Sequence, residues 1–65
     1  MSDDLPNKAK ELIYLGEKVL LQTYSAMSGN RSANLRARKL TMELREKSKE
    51  MRKCLLQLEK EQNNA

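Results

Sequence analysis

The segment Met27-Ser28-Gly29-Asn30-Arg31-Ser32 is the one sharp interruption in a chain whose apolar residues otherwise recur at helical spacing. Glycine closes helices because it tolerates a left-handed backbone, and Asn30 or Ser32 can cap the helix that follows. The break therefore divides the chain into two helices, expected over about residues 4–28 and 32–61 with a turn at 28–32. A connection this short folds the second helix back along the first. Asp3 or Asp4 can cap the first helix, and Pro6 is tolerated in its first turn, where its missing N–H would be unpaired in any case. Asn63 and Asn64 are expected to fray. The expected fold is all-α: one antiparallel, coiled-coil-like hairpin over residues 1–65, completing a helical bundle with another chain.

That other chain is inferred from size and from an excess of apolar surface. A chain of 65 residues buries too little area for its own core to be more than marginal. The single cysteine, Cys54, excludes an internal disulfide, and the absence of histidine leaves no ordinary zinc ligand set. On helix 1 one stripe follows Leu5, Ala9, Leu12, Gly16, Val19, Thr23 and Met27, and an adjacent one follows Ile13, Leu20, Tyr24 and Met27. Leu15 and Leu21 lie off both. Two stripes cover more of a helix than one neighbour can hide. Helix 1 is accordingly expected between its sister helix and a foreign surface. Gly16, costly in mid-helix, suggests either the close approach of another helix or a tolerated defect.

Helix 2 carries a narrower seam, Leu40, Leu44, Met51, Leu55 and Leu58, interrupted near Lys47 and Ser48 and widened by Cys54 and Leu56. Its length should exceed that of helix 1 by about two turns, exposing Leu55, Leu56 and Leu58 as a second docking surface. The packed or partner-facing positions are taken to be Leu12, Ile13, Leu20, Tyr24, Met27, Leu44, Met51, Leu55 and Leu58. Tyr14 is expected to be exposed and Cys54 to be a small packing residue.

Charge is unevenly distributed. The net charge is +4, but residues 31–65 hold ten basic and five acidic side chains, against three and four in residues 1–30. On helix 2 the cations read first as a solvated face, balanced in part by helical-spaced pairs such as Glu43 with Lys47 and Glu50 with Lys53. The alternative is that Arg31, Arg36, Arg38, Lys39, Arg45, Lys47, Lys49, Arg52 and Lys53 track a phosphate backbone, led by Arg31, Arg36, Arg38 and Lys39. Over about ten residues, Asn30, Arg31, Ala33 and Arg38 resemble the basic region of the basic-leucine-zipper transcription factors. Asn34 and Ala37 depart from that pattern, and Ser48 stands where the first zipper leucine would fall. The resemblance implies a DNA-reading helix. Ser48, in Arg45-Glu46-Lys47-Ser48, is also a candidate for phosphorylation beside the seam.

Catalysis is poorly served here. There is no histidine, no glycine-rich phosphate loop and no pair of carboxylates lining a cleft, so no cofactor, metal or small-molecule substrate is expected. No stretch approaches the roughly 20 apolar residues of a membrane span, and the acidic Met1-Ser2-Asp3-Asp4 is unlike a secretory signal. Attachment to anionic membranes is disfavoured because Trp and Phe are absent. The expectation is a cytoplasmic or nuclear protein without catalytic activity, a small helical subunit that dimerises or docks into a larger coiled-coil complex as scaffold, adaptor or regulator. Nucleic-acid binding through the basic face of helix 2 stands as the alternative.

Overall fold

A computed structural model describes residues 4–63. Among them are two helices, α1 (Asp4–Met27) and α2 (Arg31–Asn63), packed against each other with no strand. Asp3, proposed above as a cap, the acidic start Met1-Ser2-Asp3 and Asn64 lie outside the described residues.

The turn closes both helix ends at once. Gly29 has φ +98°, the left-handed region that a side chain would strain. Its N–H donates to the Ala26 carbonyl at 3.0 Å, and the Asn30 N–H donates to the Ser25 carbonyl at 3.2 Å. These are the two bonds of a Schellman closure, which satisfies carbonyls left open at the end of α1. Asn30 then begins α2: its side-chain Oδ1 accepts the Ala33 N–H at 3.0 Å. Between Asn30 and Ser32, the first of the two candidate caps is therefore the one used. One residue ends one helix and caps the next, so no slack remains and α2 must return along α1.

The return is antiparallel and its register is held by polar contacts as well as apolar ones. Arg36 Nε donates to Gln22 Oε1 at 3.0 Å near the turn, and Lys47 Nζ lies 3.5 Å from Glu11 Oε2 towards the open end. Lys47 thus reaches across to α1 rather than back to Glu43.

Burial identifies the seam. On α1 the buried and half-buried positions include Leu5, Lys8, Leu12, Leu15, Val19, Gln22 and Ala26, which alternate steps of three and four. On α2 they are Ala33, Ala37, Leu40, Leu44, Lys47, Met51, Cys54 and Leu58, alternating in the same way. Such alternation is the signature of two helices meeting along heptad positions a and d. Leu15 (5% exposed) and Ala33 (0%) are the buried residues of this core.

Two readings from sequence change here, and a third is narrowed. Leu15, placed off both stripes, is the most deeply buried large side chain, because the seam takes in Leu5, Leu12 and Val19 of the first stripe and then lies on the side of that stripe away from Ile13, Leu20 and Tyr24. Leu55 leaves the seam of α2 and is 49% exposed, while Cys54 takes its place. Gly16 is not explained by contact with α2: a methyl group at that position would meet nothing within 4 Å.

Of the expected packed positions, Leu12, Leu44, Met51 and Leu58 are half-buried on the seam. Ile13, Leu20, Tyr24 and Met27 face away from α2, with Ile13 63% and Met27 78% exposed. Tyr14 and Leu21 share that outer side, so α1 presents six large exposed apolar residues to solvent. At 33 residues against 24, α2 extends past the start of α1, and the molecule is 54 Å long and about 15 Å across.

Candidate nucleic-acid interface

Once the seam is located, every other position on α2 acquires a direction. Residues at heptad positions b, c and f point away from α1. Arg31, Arg38, Arg45 and Arg52 recur at intervals of seven and all occupy position b, and all four are exposed. At a rise of about 1.5 Å per residue they form a row roughly 32 Å long with one guanidinium about every 10.5 Å. Position c adds Lys39, Lys53 and Lys60, with Glu46 the acidic member of that row. Between the two rows run Leu35, Met42, Lys49 and Leu56. Glu43 and Glu50 lie apart from the arginines, at position g on the flank where α2 meets α1. Arginine thus runs along one outward row, which Glu59 ends one heptad beyond Arg52.

The four cations proposed from sequence divide on this geometry. Arg31, Arg38 and Lys39 lie on the outward surface. Arg36 sits on the flank with its guanidinium bonded to Gln22, where it helps to hold the two helices in register. Arg45 and Arg52, named in the sequence among the wider set of cations but not among the leading four, complete the row. Their seven-residue spacing was present in the sequence, but it has meaning only after the phase of the seam is known.

The turn end of the row has a further electropositive feature. A shallow groove of about 440 Å³ is lined by Ala26, Gly29, Asn30, Arg31, Asn34 and Arg38. It lies at the N-terminus of α2, where the helix dipole and unpaired backbone N–H groups favour an anion. The groove at the open end, about 390 Å³, is more apolar and includes Leu5, Cys54 and Leu58 among its lining.

Of the residues carrying the likeness to a basic-leucine-zipper region, Asn30 and Ala33 have structural duties, one as a cap and the other as the wholly buried contact beneath α1. Arg31 and Arg38 remain free to face solvent. α2 is continuous, but α1 is folded along it.

The family model for histone H1-like protein Hc1 matches residues 6–61, which include nearly all of both helices. The chain belongs to the histone H1-like Hc1 family. No curated protein and no solved structure matches it. The Hc1 family is not a family of enzymes, and this member is non-catalytic. Among the described residues, no helix is long and apolar enough to cross a membrane.

Proposed function

We propose that this Hc1-family chain is a non-catalytic nucleic-acid-binding protein that contacts the phosphate backbone through the outward face of α2. The alternative read from the cations of helix 2 is thereby preferred to the adaptor reading. The observation that carries it is the row Arg31, Arg38, Arg45 and Arg52 on the solvent face of a chain whose family is described as histone H1-like. A duplex carries one negative charge per about 1.7 Å of its axis, so phosphates of both strands lie within reach along a row of this length. The full row is close to the length of one helical turn of duplex, about 34 Å.

Backbone contact is favoured over base stacking. The two tyrosines, Tyr14 and Tyr24, both belong to α1, so α2 offers no aromatic platform on which unpaired bases stack. The preferred ligand is double-stranded, bound without regard to base sequence, and the site of action is wherever such nucleic acid lies in nucleus or cytoplasm.

Fluorescence anisotropy with a short labelled duplex over a range of salt concentrations tests this. Four arginine–phosphate contacts give a slope of log affinity against log salt near −3.6, by about −0.9 per contact. Arg45→Ala should flatten that slope by about 0.9 while shifting affinity equally for unrelated sequences. No binding at low salt, or binding indifferent to salt, would remove the proposal.

The second reading, association with another protein, is supported by a separate observation: the uncovered apolar side of α1.

A further inference from the structure

We infer that the outward face of α2 seats in the major groove of duplex DNA, with Leu35 and Met42 against the C5-methyl groups of thymine and the flanking cations on the phosphates that border the groove. The inference rests on the phosphate-contact reading above and adds to it the groove, the kind of duplex and the base feature that are recognised.

Phosphate contact by itself leaves one feature of this face without a purpose. Leu35, Met42 and Leu56 stand at heptad position f, diametrically opposite the seam, and are 46%, 69% and 54% exposed. The side of a helix turned away from its core is ordinarily polar. Here an apolar ridge runs between Arg31, Arg38 and Arg45 at position b and Lys39 at position c. A ridge edged on both sides by cations fits a channel with anionic borders and an apolar floor, not a layer of phosphates alone.

About the first half of α2 carries this pattern without interruption. From Arg31 to Arg45 no carboxylate stands at positions b, c or f, and the first is Glu46. Glu43, the acidic residue within that stretch, lies on the flank beside α1. At about 1.5 Å per residue the stretch is roughly 21 Å long.

The major groove of B-DNA is about 12 Å wide and about 8.5 Å deep, and an α-helix with its side chains is about 10–12 Å across. α1 packs on the side of α2 opposite the ridge, so it stays outside the groove. With position f turned to the groove floor, positions b and c project to either side of it. Arg31, Arg38 and Arg45 then meet one border and Lys39 the other. The apolar feature of that floor is the thymine methyl group. Leucine and methionine side chains gain by covering it, but they offer no strong hydrogen-bond donor or acceptor with which to read the order of bases. Affinity should therefore follow thymine content and not sequence.

Chemistry selects DNA over other anionic surfaces. A-form RNA has a deep, narrow major groove that side chains do not read, and its uracil lacks the methyl group. An anionic bilayer offers charge and apolar depth together, but helices that lie on it insert an unbroken apolar face rich in bulky groups. This chain has no Trp or Phe, and Lys49 breaks the ridge at position f.

Fluorescence anisotropy with two duplexes tests this. One has alternating A·T pairs; the other has deoxyuridine in place of every thymidine, which removes the methyl groups and keeps every phosphate. The wild type should bind the thymine duplex about three- to ten-fold more tightly, since covering each methyl-sized group is worth roughly four-fold. The slope of log affinity against log salt should be the same for both. The double variant Leu35→Ala with Met42→Ala should bring the two affinities within about two-fold, with that slope kept and helical circular dichroism unchanged, because both side chains are exposed in the hairpin. Leu21→Ala, on the outer side of α1, should discriminate as the wild type does. Equal affinities of the wild type for the two duplexes, with salt-dependent binding intact, overturn the inference and leave the phosphate-contact reading standing. Absence of binding to either at low salt overturns both. An RNA duplex of the same length bound as tightly as the thymine duplex also overturns the inference. So does a double variant that loses binding to anionic phospholipid vesicles while keeping the wild-type preference for thymine.

Discussion

Gly29 and Asn30 do work that no other pair in the chain could share. The first holds φ +98° and closes α1; the second completes that closure with its N–H and opens α2 with its side chain. Gly29→Ala should lower stability by about 1 kcal/mol, the cost of placing a Cβ in a left-handed backbone. Asn30→Ala should cost a similar amount, about 1 kcal/mol, and Asn30→Asp should restore most of it, because a carboxylate accepts the same N–H and suits the helix N-terminus. Gly16→Ala should move the other way, raising stability by roughly 0.5–1 kcal/mol, since Gly16 is helical and sterically free. Urea titrations check all four signs. The contrast also separates two glycines that look alike in the sequence: one is required by backbone geometry, the other is not.

At the scale of the element, the phase of each helix decides which leucines hold the fold. Leu15→Ala should cost about 2–3 kcal/mol, much of what a core this small supplies, and the far-ultraviolet signal should fall accordingly. Ile13→Ala, on the solvent side of the same helix, should stay within about 0.5 kcal/mol. Equal losses at the two positions would refute the seam described here. Helix number, the position of the turn and the antiparallel return were legible in the sequence, because glycine and capping chemistry act over a few residues. The phase of α1 was legible only in part, through Leu5, Leu12 and Val19 of the first stripe. Its seam includes Lys8 and Gln22, and that of α2 includes Lys47, while Ile13, Leu20, Leu21 and Met27 lie outside. A reading that follows hydrophobicity is drawn to the outer stripe, since polar seam residues become intelligible only through partners on the other helix. Lys47 with Glu11 and Arg36 with Gln22 are such partnerships.

Considered as a whole, the molecule is a rod with two unlike long sides: an apolar, neutral one on α1 and a cationic one on α2. They point in opposite directions, as the outer faces of any two-helix hairpin must. Nucleic-acid contact through α2 should therefore be independent of the apolar side of α1. Leu20→Glu should bind a duplex short enough for one hairpin with an affinity within about two-fold of the wild type. A markedly weaker complex, measured by anisotropy, would mean that the two sides are not separate.

Two helices, their hinge, the shortage of internal core and the cationic bias of residues 31–65 followed from the order of residues alone, because capping, period and charge are local or additive properties. Which side chains share a direction was settled by the packing of α1 on α2. Four arginines at intervals of seven become a row, and Leu15 rather than Ile13 becomes core, only when the neighbouring helix fixes where each heptad faces. That is a pairwise property of two surfaces, held in neither segment separately.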